Sequence, residues 1–187
     1  GSDPETLNIG TSTSYPGGSV SANVFSGLVR TSAEGWHEGD LADSWTVSDD
    51  NLVYTFTLRE ATFHDGTPVT SADVLFSMEE VLAPFHGRFA TAYQRIESIT
   101  APDETTVVIT LAEPFAPLLS LLTVFDAAIL PKHLYEGTDI LTNPLNNAPV
   151  GSGPFQFTDW VRGERIEIER YDDYFREDEK ALLDRII

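Results

Sequence analysis

The chain has 187 residues, 41% of them hydrophobic with 11 Phe, 6 Tyr and 3 Trp, enough for a core in one or two closely joined domains and against a wholly disordered chain. Its formal net charge of −19, from 30 acidic and 11 basic residues, repels phosphate backbones and anionic lipid head groups, so nucleic acid and direct membrane insertion are set aside as modes of action. It contains no cysteine, which excludes disulfides, thiol catalysis and Cys-ligated zinc.

In chain order, TLNIG (6–10) predicts a short buried strand and TSTSYPGG (11–18) a loop dense in small and turn-forming residues. A helix is expected over 20–28, capped by Ser19, with Val20, Val24, Phe25 and Leu28 on its apolar face. LADSWTVSDDNLVYTFTL (41–58) predicts a hairpin turned at Ser48-Asp49-Asp50-Asn51, with Tyr54, Phe56 and Leu58 on one face and Val53, Thr55 and Thr57 on the other. After the turn His64-Asp65-Gly66-Thr67-Pro68, Thr70 and Asp73 stand at the spacing of a helix N-cap and its acidic third position. Val74, Leu75, Met78, Val81 and Leu82 then mark a core-facing helix.

Residues 96–100 and 106–111 predict a second hairpin, 115–122 a helical stretch, 128–130 a strand, and 131–135 a short helix with Pro131 in its first position. A polar loop follows over 138–148, then a third hairpin, 155–160 with 165–171. The run LLDRII (182–187) is strand-like, and its bare Ile-Ile ending reads as a truncated domain, while Gly1-Ser2 reads as a cloning remnant. Short strands interleaved with short helices place the chain in the α/β class.

Several of these stretches together carry a resemblance: LADSWTVSDDNLVYTFTLRE (41–60), FHDGTPVTSADVLFSM (63–78), TAPDETTVVITL (100–111), ILPKHLY (129–135), VGSGPFQFTDW (150–160) and ERYDDYF (169–175). In order and spacing the chain resembles the N-terminal portion of the family 5 extracellular solute-binding proteins, the peptide- and nickel-binding components of ABC importers. The resemblance implies the first-lobe portion of a type II periplasmic-binding-protein-like fold with an inserted α+β subdomain. It implies that 5–30 and 150–187 form lobe I proper, that 31–149 hold the insertion and its connections, and that the second lobe is absent. It further implies extracytoplasmic capture of an oligopeptide or dipeptide by a monomer that is periplasmic or anchored as a lipoprotein, with delivery to ABC permease subunits. A ligand-sensing or protein-interaction module reusing the same lobe is the alternative.

By the same resemblance, ligand contacts fall first on the loop Thr13, Ser14, Tyr15, Pro16, Gly17 and Gly18, where Tyr15 either offers a ring and a hydroxyl to a solute or plugs the loop. Further candidates lie around Arg88, Phe89 and Tyr93, and at Phe125-Asp126. The bend Gly151-Ser152-Gly153-Pro154 either lets two segments pack closely or bares N–H groups to a ligand. No metal is expected, since His37, His64, His86 and His133 show no paired ligand spacing, and no organic cofactor is implied. No catalytic residue is assigned, because Ser152 lacks a nucleophile elbow and no carboxylate pair stands out from the general acidity.

Overall fold

Alternation of apolar and polar side chains decides most of the sheet structure. In the computed structural model, which describes residues 3–187 apart from the Tyr15 side chain, the expected hairpins form as antiparallel pairs. Strands β1 (Val29–Thr31) and β2 (His37–Gly39) make a small hairpin of their own. Strands β3 (Ala42–Val47), β4 (Val53–Leu58), β5 (Ile96–Asp103) and β6 (Thr106–Leu111) form a four-stranded sheet in the order β3-β4-β6-β5. Tyr54, Phe56 and Leu58 bury one face of β4, as period-2 patterning requires, and Val107, Ile109 and Leu111 do the same on β6. Strands β7 (Phe155–Val161), β8 (Arg165–Arg170) and β9 (Arg185–Ile186) form the third sheet.

The helices are short. They are α1 (Tyr15–Val24), α2 (Ser71–Phe76), α3 (Ala83–Phe85), α4 (Gly87–Tyr93), α5 (Leu118–Leu121), α6 (Val124–Ala127) and α7 (Lys132–Tyr135). At the start of α2, the Asp73 carboxylate receives the Thr70 N–H at 2.8 Å, satisfying a donor that the helix leaves unpaired. Its other oxygen takes the Lys132 N–H at 2.9 Å, so the cap also docks α7. Helix α2 runs on into a π-helical stretch, Ser77–Leu82. Ser77 Oγ lies 2.7 Å from the Asp73 carbonyl it donates to, and it accepts the Leu130 N–H at 2.8 Å. Pro84 follows one residue later, and a widened turn relieves the clash of its ring with the preceding turn's carbonyl.

Three expectations are corrected. Residues 6–10 do not form a strand; Asn8 Oδ1 accepts the Gly10 N–H at 2.9 Å and turns the chain into a 3-10 helix, Ile9–Thr11. That segment is tied to the 138–148 loop instead, through Leu7 N–H to the Asn146 carbonyl and the Asn8–Asn146 side-chain amide bond, both 2.8 Å. Helix α1 starts five residues before Val20, inside the expected loop, with Ser14 at its N-cap and Pro16 in the first turn, where a missing N–H costs nothing. Residues 128–130 join no ladder among the described residues: Ile129 donates to the Ser26 carbonyl and Leu130 to a side chain.

Two apolar cores result. Phe56, Phe63, Met78, Val107, Ile109 and Leu122 belong to the one beneath the four-stranded sheet. The other joins Ile9, Val24 and Phe25 to Phe76, Leu130, Tyr135, Phe155 and Ile168. Each fully buried large apolar side chain contributes about 1.5–3 kcal/mol.

Candidate functional site

The 3-10 turn, the N-terminus of α1, α4 and α6 converge on one cavity of about 260 Å³. Its lining is Ile9, Ser12, Thr13, Ser14, Gly18, Ser19, Arg88 and Phe125. Residues of three regions nominated from the sequence, the 13–18 stretch, Arg88 and Phe125, thus meet, although more than a hundred residues separate the first from the last. The Phe125 ring is half exposed, at 51%, which is unusual for so large an apolar side chain. The Ser14 hydroxyl is not used to cap α1. Ser12 Oγ accepts the Ser14 N–H at 3.1 Å, and Ser19 Oγ donates to the Pro16 carbonyl at 3.0 Å.

Arg88 and Asp126 set the electrostatics of this wall. Arg88 Nε lies 2.5 Å from Asp126 Oδ1, and Nη2 donates to the Phe125 carbonyl at 3.3 Å. The Asp126 side chain is largely buried and does not line the cavity. Behind them His86 is fully buried; its Nδ1 accepts the Phe89 N–H at 3.3 Å, so the proton of the neutral ring sits on Nε2, which has no partner among the described residues. Burial pushes the His86 imidazole down, against the pull of Asp126. A cavity with these walls offers hydroxyls, one guanidinium and one aromatic face, which suits binding rather than proton transfer.

Other nominated residues lie elsewhere. Phe89 is 1% exposed and belongs to the core, with the Tyr93 ring 6.1 Å away and packed against the same cluster, so Phe89 offers a solute no surface. Gly17 packs on the Thr6 carbonyl, and Pro16 faces a different groove. The side chain of Tyr15 lies outside the described residues. Gly151 and Ser152 are buried, and the bend closes against the end of α1: Gly153 N–H donates to the Val24 carbonyl at 2.8 Å. His64 clamps the same bend. Its Nδ1 accepts the Gly151 N–H at 3.2 Å and its Nε2 donates to the Gly153 carbonyl at 3.0 Å. Burial lowers the His64 pKa, which keeps the acceptor nitrogen available. Ile9, Ser12 and Ser19 were not nominated; only Ser12 carried a signal, as part of the small-residue loop.

Residues 37–187 match the family model of bacterial extracellular solute-binding proteins, family 5 Middle. A probable D,D-dipeptide-binding periplasmic protein of Escherichia coli K12, DdpA, is 37% identical over 175 residues, which are 88% of this chain and 33% of the relative. The structure of the periplasmic binding protein AgaA from A. tumefaciens R10, in complex with agropinic acid, superposes with a TM-score of 0.86 at 38% identity, covering 98% of this chain and 37% of that one. NikZ from Campylobacter jejuni, in complex with Ni(L-His), gives 0.87 at 31% identity, covering 98% and 36%. The fold is therefore the α/β fold of periplasmic binding proteins, and the chain spans about a third of the length of the relatives it matches. With the family model matched from His37 to the last residue and the fold shared, this chain belongs to the bacterial extracellular solute-binding proteins of family 5.

Proposed function

We propose that this chain forms one wall of a solute-binding cleft and serves the extracytoplasmic capture of a dipeptide or oligopeptide for an ABC importer. The observation that carries this is the cavity where Ser12, Thr13, Ser14 and Gly18 meet Arg88 and Phe125. Its small polar loop beside an exposed ring supplies hydrogen bonds and an apolar face to a peptide-like solute. Relatives named as dipeptide-binding and ABC transporter peptide-binding proteins support the substrate class and the transport role over sensing. The opposing wall comes from sequence matching the other two-thirds of the relatives' length, and closure of the two walls around solute traps it.

Within this reading, 5–30 and 150–187 build the lobe proper and 31–149 the inserted subdomain with its connections. The four-stranded sheet with its own core, and the packing of β7 against α1, support that division.

Calorimetry on the protein at its relatives' full length tests the site. Against a mixture of alanine-containing dipeptides, Phe125→Ala is expected to weaken binding roughly tenfold, the cost of losing an apolar contact worth about 1–2 kcal/mol. The thermal midpoint should hold, because the ring is half exposed. Unchanged affinity would remove Phe125 from the site.

A further inference from the structure

The cavity stands out against the charge of the molecule around it. The chain carries 30 acidic and 11 basic residues, yet among the described lining residues the single charged one is Arg88. Asp126 holds Arg88 from behind without reaching the cavity lining.

The guanidinium is divided between two tasks. Its side-on edge faces protein: Nε lies against the Asp126 carboxylate as an ion pair, and Nη2 donates to the Phe125 carbonyl. Among the described residues Nη1 has no protein acceptor, so the end-on edge, Nη1 with the second N–H of Nη2, remains open on a side chain that is 57% exposed. A planar fork fixed along one edge presents two parallel N–H donors along the other, the geometry that fits a carboxylate. By contrast Arg30, Arg165 and Arg176 are each taken up by neighbouring glutamates.

The remaining walls agree with an anionic group rather than a cationic one. Thr13 and Ser14 present hydroxyls with no protein partner among the described residues, and Ser12 uses its oxygen only as an acceptor, leaving its O–H to donate. Among the described lining residues there is no carboxylate to receive an ammonium group. Phe125 closes one side with an apolar face. At about 260 Å³ the space is large enough for a carboxylate and a short apolar substituent.

We infer that Arg88 is a specificity-determining residue of this wall, and that the captured solute presents a carboxylate to its open edge with an apolar group against Phe125. This rests on the capture reading and adds the charge and orientation of the solute. A neutral polyhydroxylated ligand, read by the hydroxyls alone, is the competing chemistry.

The test uses the protein at its relatives' full length and two probes: a mixture of alanine-containing dipeptides as free acids, and the same mixture as C-terminal amides. Calorimetry of the wild type is expected to favour the acids at least tenfold. Arg88→Gln should lower affinity for the acids by roughly 10- to 100-fold, the worth of a charge-assisted pair, and leave the amides nearly unchanged. Because Arg88→Gln strands Asp126, the double variant Arg88→Gln/Asp126→Asn is measured beside it. It restores neutrality, and it should show the same loss of discrimination with a wild-type thermal midpoint. Equal affinity for acids and amides in the wild type, or discrimination that survives in the double variant, overturns the inference while leaving capture intact. Binding of neither probe set overturns dipeptide capture itself, and the inference with it.

Discussion

Asp40 is held against its own solvation. It is 6% exposed, and its Oδ2 accepts the Gly27 N–H at 3.1 Å. Burial raises its pKa to about 6, and the Gly27 bond and the guanidinium groups of Arg176, Arg30 and Arg59 offset only part of that cost. A carboxyl whose folded pKa lies above its unfolded value contributes stability below about pH 4, and that contribution is lost as pH rises through about 6. The difference corresponds to roughly 3 kcal/mol. Asp40→Asn, which keeps an acceptor for Gly27, is therefore expected to be more stable than wild type at pH 7.5 and equal to it near pH 4. Chemical denaturation of both proteins across that range checks this; a variant less stable at pH 7.5 would show that the three arginines outweigh desolvation. Nothing in HEGDLADSW distinguishes Asp40 from the other acids, because burial is a property of the folded neighbours. Arg88 belongs to a region the sequence does nominate, but its pairing with Asp126 is not legible there, since that partner lies 38 residues away.

At the scale of elements, legibility followed the locality of the cause. The Thr70–Asp73 cap and the alternation of β4 are set within a few residues and were readable. The start of α1 was not, because two glycines and a proline in its first turn argue for a loop, while docking against Thr6 makes Gly17 the residue that fits. Strand formation at 6–10 and 128–130 failed for the same reason: apolar content was present, but the partners are Asn146, Ser26 and Ser77, which no local pattern announces. The bend at 151–154 is the sharpest case. A Cβ on Gly151 would fall 2.0 Å from the Val24 carbonyl oxygen, and backbone cannot yield cheaply there. Gly151→Ala should cost roughly 3 kcal/mol or more, whereas Gly87→Ala, with open space around it in α4, should be neutral or gain up to about 1 kcal/mol. Thermal unfolding of the two variants separates close packing from a general intolerance of side chains; equal effects would contradict the packing role of Gly151.

At the scale of the molecule, the resemblance legible in the ordered motifs and the matched fold agree, but most of those motifs build scaffold. FHDGTP supplies His64, which clamps the 151–154 bend, and ERYDDYF supplies Tyr171, whose hydroxyl donates to the Phe63 carbonyl at 3.2 Å. The candidate site draws instead on residues outside those motifs: the 12–18 loop, Arg88 and Phe125. Scaffold is recognisable because its packing constrains long stretches, while a solute is read by a few side chains brought together from afar. On the proposed reading, this wall closes with a second one around a carboxylate-bearing peptide. Small-angle X-ray scattering of the protein at its relatives' full length, with and without the dipeptide mixture, measures that directly. A smaller radius of gyration with saturating solute is the expected result. An unchanged radius at concentrations where calorimetry shows the site filled would contradict closure.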